Sequence, residues 1–106
     1  MENSPRVIVA VFVMEGCPAC HDYLPRFQQI AAPYAQAGVP VMIYDAASED
    51  QNIQQLADRW GIEATPTTVV ALRGPGMMKE VGSMSDADIK RVMDTAYRVH
   101  LHGYVY

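Results

Sequence analysis

Residues 7 to 23 read VIVAVFVMEGCPACHDY. Val7 to Val13 is unbroken apolar sequence rich in β-branched side chains, the pattern of a short strand buried on both faces. Gly16 and Pro18 punctuate it, and beyond Pro18 the spacing becomes helical, with Tyr23, Phe27, Ile30 and Tyr34 in one stripe joined by Leu24 and Ala31. Pro18 suits the first turn of a helix, where its missing N–H costs nothing. Cys17 and Cys20, the only cysteines of the chain, therefore stand where a strand hands over to a helix. Taken alone, CPACH leaves open a redox pair, two ligands of a metal, and the anchors of a c-type haem with His21 as axial ligand.

Working outward, Pro25 lies inside the helical stretch and predicts a kink, while Pro33 predicts a second kink or the helix end before Gly38. Val39 to Asp45 reads as a second strand. Ser48 and Gln51 have capping-box spacing, opening a short helix through Ile53, Leu56, Ala57 and Trp60 that Gly61 closes. Thr67 to Leu72 and Met77 to Val81, joined through Gly74, Pro75 and Gly76, read as an antiparallel hairpin. Ser85 and Asp88 cap a last helix with Ile89, Val92, Met93 and Ala96 inward. The tail VHLHGYVY alternates and suggests an edge strand or a frayed end. Met42, Met77, Met78, Met84 and Met93 read as packing residues.

The order βαβαββα describes an α/β fold, a mixed four-stranded sheet with helices on both faces. A helical crossover makes its first two strands parallel. Chemistry gathers beyond the carboxyl ends of parallel strands, and Cys17 lies at such an end.

The 106 residues fit one domain, with 1–6 and 102–106 as frayed tails. A net charge of -4 without any Lys/Arg cluster argues against nucleic acid and anionic lipid as partners, and the apolar run Val7 to Met14 is too short to span a membrane. The start, MENSPRVIV, lacks the features of an export signal, so a cytoplasmic monomer is expected. Thiols are kept reduced there, and a bridge between Cys17 and Cys20 would close too small a loop to stabilise the fold much. A catalytic pair is the better reading. A helix start favours the thiolate of Cys17, and Cys20, one turn further in, would be more buried and would act second. Glu15 opposes thiolate formation. His21 reads as a solvated side chain with at most a modest effect on the pair.

A strand, C-x-x-C at the next helix start, Pro25 within that helix and RWGIEATPT at 59–67 form a layout that resembles the thioredoxin superfamily from about Val7 to Leu101. Pro25 matches the family's kink proline, Arg59-Trp60-Gly61-Ile62 with Thr65-Pro66-Thr67 is similar to its second signature, and Gly74 and Gly82 match the glycines of its hairpin and of the strand end after it. The resemblance implies a thioredoxin-like fold lacking the N-terminal strand and helix of full thioredoxins. It also implies thiol-disulfide exchange with protein disulfides and no cofactor, with recycling by an upstream reductase or a low-molecular-weight thiol. Cys17 would attack and Cys20 resolve. The Thr65-Pro66 bond would be cis, with Pro66 shaping a substrate groove and the Thr65 backbone pairing with an extended substrate.

Three departures qualify it. Val11 stands where thioredoxins carry a buried aspartate that takes the proton of the resolving cysteine, which leaves another group or water for that role, with Glu15 and His21 as candidates; Gly16 stands where they carry tryptophan, and CPAC replaces CGPC. Proline directly after the first cysteine resembles glutaredoxins and periplasmic disulfide oxidases and hints at a more oxidising couple. Met14 and Glu15 stand where a glutaredoxin has a basic residue, Ala64-Thr65-Pro66 replaces Thr-Val-Pro, and only Ser85-Asp86 resembles a glutathione-binding segment. Other readings are a binding module with little turnover, a zinc site drawing on His100 and His102, and an iron-sulfur cluster shared between chains.

Overall fold

The computed structural model describes residues 5–73 and 76–103. Seven elements follow in the order β1 (Val7–Val13), α1 (Pro18–Gln36), β2 (Val41–Asp45), α2 (Gln51–Arg59), β3 (Thr67–Leu72), β4 (Met77–Val81) and α3 (Asp86–His102). They build a four-stranded sheet in the order β2-β1-β3-β4. β1 runs parallel to β2 and antiparallel to β3, and β3 pairs antiparallel with β4. The architecture is the α/β arrangement expected from the sequence.

β1 lacks polar alternation because both of its faces are covered. Val7, Val9 and Val11 point into a core shared with Tyr23, Phe27 and Ala31 of α1 and with Ile89, Val92, Met93 and Ala96 of α3. On the opposite face Phe12 lies 5.2 Å from the Tyr44 ring and meets Trp60, at the end of α2, edge-on at 6.1 Å. The helical periods predicted for α1 and α3 are thus the faces they bury.

Several boundaries differ from the sequence reading. β2 begins at Val41; Val39 is already buried, and the Pro40 carbonyl takes the Val9 N–H at 2.9 Å. α2 is capped by Asp50, whose Oδ1 accepts the Asn52 N–H at 2.8 Å, while the Ser48 hydroxyl accepts from Asp50 itself at 3.1 Å. A carboxylate one residue before the helix is as good a cap as a serine, so the cap moves forward and Gln51 becomes the first helical residue. α1 passes Pro33 and ends at Gln36. Each internal proline removes one backbone bond, and the buried face of Phe27 and Ala31 holds the helix together across the loss.

Val99 to His102 form the last turn of α3, with Val99 in the core, so this part of the tail is not an edge strand. Arg6 is not frayed, since its guanidinium donates to the Leu101 carbonyl at 3.0 Å and its own carbonyl accepts from Arg73. Residues 1–4 and 104–106, and the hairpin tip at Gly74 and Pro75, lie outside the described residues. Met84 and Met93 are core residues, but Met42, Met77 and Met78 on the two edge strands are exposed by 42%, 42% and 39%, because an edge strand has a neighbour on one side only. Among the described residues no helix is long and apolar enough to cross a membrane.

Candidate active site

The central strand β1 ends in the turn Met14-Glu15-Gly16, and Gly16 takes φ +77, a region that side chains with a Cβ rarely occupy. A tryptophan would be strained in this turn, which accounts for the glycine. Cys17 follows in extended backbone as the N-cap of α1, with Pro18 at the first helical position. Sequence reasoning placed Cys17 near the helix start without seeing that it is itself the cap. Its Sγ accepts the Cys20 N–H at 3.2 Å, in the role a serine oxygen usually fills. Unpaired N–H groups and about half a positive charge at a helix start favour a thiolate over a thiol.

A disulfide joins Cys17 to Cys20, with their Cα atoms 5.2 Å apart. Cys17 is half-buried and Cys20 only 4% exposed. One sulfur is therefore reachable by a large substrate and the other is sheltered behind it.

The second half of the site arrives from β3. The Thr65–Pro66 peptide is cis, and the Thr65 carbonyl oxygen lies 3.5 Å from Cys17 Sγ. The segment is anchored on both sides. Thr67 Oγ1 donates to the Ala64 carbonyl at 2.6 Å, Gly82 N–H donates to the Pro66 carbonyl at 2.8 Å, and Pro66 and Thr67 are buried. Upstream, Ile62 N–H bonds the Ala57 carbonyl, and Lys79 Nζ donates to the Gly61 carbonyl at 3.0 Å. The Thr65 backbone is thus held beside the sulfur by the bonds of its neighbours.

Two hollows lie near the site, one lined in part by Cys20 and one by Thr65. One, of about 240 Å³, has Val13, Leu24 and Pro25 as apolar walls and Glu15, Cys20 and His21 among its lining. The other, of about 220 Å³, lies between Ala46, Ile62, Glu63, Ala64 and Thr65. Met14 borders both. Pro25 also withholds the N–H that would otherwise bond the His21 carbonyl. Glu15 and His21 are exposed, and the His21 backbone N–H donates to the Cys17 carbonyl at 3.1 Å.

Val11 is fully buried beneath α1. It pairs in register with Thr68, whose hydroxyl shares a 2.8 Å hydrogen bond with the Tyr23 hydroxyl. Burial pushes the Tyr23 phenol above its ordinary pKa, partly offset by the bond to Thr68. Its position was predicted as packing, but nothing local in the sequence reveals that hydroxyl bond, because the partner lies 45 positions away. Met14 and Glu63 were missed as lining residues for the same reason.

Of the residues singled out from sequence, the structure brings together Cys17, Pro18, Cys20, Thr65 and Pro66, and places Glu15, His21 and Pro25 at the hollow beside Cys20. It does not bring His100 and His102 there. His100 packs at Gly38, beyond the far end of α1, and a helix of 19 residues separates that point from the cysteines by about 28 Å at 1.5 Å per residue. Among the described residues no group of three or more His, Cys, Asp or Glu side chains is gathered to hold a metal ion.

Comparison with known proteins agrees with this fold. The thioredoxin of Malassezia sympodialis superposes with a TM-score of 0.72 at 23% identity, over 90% of this chain and 78% of that one. The thioredoxin of Fasciola hepatica does so with a TM-score of 0.68 at 22% identity, over 88% and 83%. A curated Arabidopsis thaliana protein, carried as a candidate thioredoxin H10, is 30% identical over 81 residues, 76% of this chain. The chain spans about half the length of that relative, 49%. The model of the thioredoxin-like domain family matches residues 1–97, which take in the cysteine turn and the Thr65–Pro66 segment, and the chain belongs to that family.

Proposed function

We propose that the protein is a thiol-disulfide oxidoreductase acting on protein disulfides, with Cys17 as the attacking sulfur and Cys20 as the resolving one. The observation that carries this reading is the asymmetry of the pair: Cys17 Sγ is half-exposed at a helix cap and lies 3.5 Å from an immobilised carbonyl, whereas Cys20 is 4% exposed. In the reducing direction the Cys17 thiolate attacks one sulfur of the substrate disulfide, and the other leaves as a thiolate that takes up a proton. Cys20 then gives up its proton and attacks Cys17 Sγ. The Cys17–Cys20 bond forms, the bond to substrate breaks, and the second substrate sulfur is released as a thiol. Two electrons pass from the dithiol to the substrate.

Thr65 and Pro66 serve substrate binding in this reading, and an extended segment of the partner lies along the Thr65 backbone. The reaction suits the cytoplasm, where the pair is returned to the dithiol by a reductase or a small thiol. A second reading, a binding module with little turnover, draws on the buried Val11, an apolar residue in the core under α1 where the resemblance implies an acid.

Reduction of insulin by a dithiol reductant separates the two. Wild type should accelerate it, Cys17→Ser should abolish the acceleration, and Cys20→Ser should leave at most a small residue. Activity surviving Cys17→Ser would contradict the assignment, and an inactive wild type with a reducible Cys17–Cys20 bond would favour the module.

A further inference from the structure

We propose that the proton of Cys20 leaves sideways, into the hollow between Val13 and Pro25, and is taken there by the imidazole of His21. The proposal rests on the oxidoreductase reading and concerns its second step. Cys20 must become a thiolate to attack Cys17 Sγ, and an almost fully buried thiol resists ionisation unless a base or water reaches it.

The route from beneath is closed. Val11 fills the core under α1 with Tyr23 and Phe27, and the polar groups beside it, Tyr23 and Thr68, spend their hydroxyls on each other. The phenol is held in its neutral form by burial, so it has no anionic form to offer as a base near neutral pH. The route from the side is open: the 240 Å³ hollow has Cys20 in its lining and is large enough for several waters at about 30 Å³ each.

Its ionisable lining, apart from Cys20, consists of Glu15 and His21. The nearest carboxylates in chain and strand register make other bonds. Asp22, next on α1, is paired with Arg26 at 3.2 Å, and Asp45, beside Val13 on β2, accepts the Ala47 N–H at 2.9 Å. Between the two candidates, imidazole as a class is a stronger base than a carboxylate by about two pK units. It therefore takes a thiol proton through one bridging water with the smaller uphill cost. His21 follows Cys20 directly, on a helix turn fixed by the His21 N–H bond to the Cys17 carbonyl at 3.1 Å. In the balanced step, Cys20 loses the proton to water and water passes one to His21. The new disulfide closes, and the imidazolium returns the proton to the departing substrate sulfur or to solvent.

Stopped-flow reaction of the reduced protein with dithiobis(nitrobenzoate) reads the two steps separately. The first release of thionitrobenzoate reports attack by Cys17, and the second reports resolution by Cys20. The second phase should rise with pH around neutrality. His21→Gln should remove that rise and slow the phase on the order of a hundredfold at pH 7, with the first phase persisting. Glu15→Gln should keep the rise. If the second phase of His21→Gln stays within about twofold of wild type with its pH profile unchanged, or if Glu15→Gln removes the rise instead, the proposal is wrong. Loss of the first phase in the wild-type protein would overturn the oxidoreductase reading itself, so the two failures are told apart.

Discussion

At the scale of single residues, Tyr23 and Glu15 give the site's surroundings measurable consequences. Tyr23→Phe leaves the buried Thr68 hydroxyl without its partner and should cost about 1–2 kcal/mol near neutral pH in denaturant melts. Its pH dependence follows from the raised folded-state pKa. The contribution is intact below the ordinary phenol value of 10.0 and falls as pH rises past it, because the unfolded phenol ionises first. The difference between wild type and Tyr23→Phe should therefore narrow above that pH, and a constant difference would mean the phenol ionises equally in both states. Glu15 stands near the cap of α1 without aiding it. Glu15→Gln should speed alkylation of reduced Cys17 by iodoacetamide severalfold at neutral pH, with the gain shrinking in high salt.

At the scale of elements, most of the framework was legible in the sequence. The β-branched run of β1, the helical stripe of α1 and the hairpin punctuation each answer to one local rule. What escaped the sequence was set by competition or by distance. Ser48 and Asp50 both offer a cap, and spacing cannot choose between two good oxygens. Asp50→Ala should cost about 1 kcal/mol of stability, the usual worth of an N-cap, and Gln51→Ala much less. Equal losses would restore the capping box expected from Ser48. In the site, Cys17, Cys20 and Thr65–Pro66 were legible because each belongs to a compact signature. Met14, Glu63 and the Tyr23–Thr68 pair were not, because their neighbours arrive only when β3 packs against β1 and α1. Arg26 ties α1 to the start of α3 through Asp86 at 2.7 Å and the Met84 carbonyl at 3.1 Å, another link between distant segments that no spacing announces.

At the scale of the whole molecule, a core built on both faces of β1 carries the fold, and the disulfide closes only one turn at its edge. Reducing Cys17–Cys20 should leave the circular dichroism spectrum unchanged and lower stability by no more than about 2 kcal/mol, the chain-entropy value for so short a loop. Collapse of the spectrum on reduction would make the bridge structural. Such a site can open and close while the framework stays still, as repeated exchange demands. The proposed exchange turns on which sulfur meets the substrate. Mass spectrometry of reduced Cys20→Ser mixed with insulin should find a covalent insulin adduct on Cys17 that cannot resolve, and none should form on reduced Cys17→Ser. An adduct on Cys20 in Cys17→Ser, with none on Cys17 in Cys20→Ser, would contradict it.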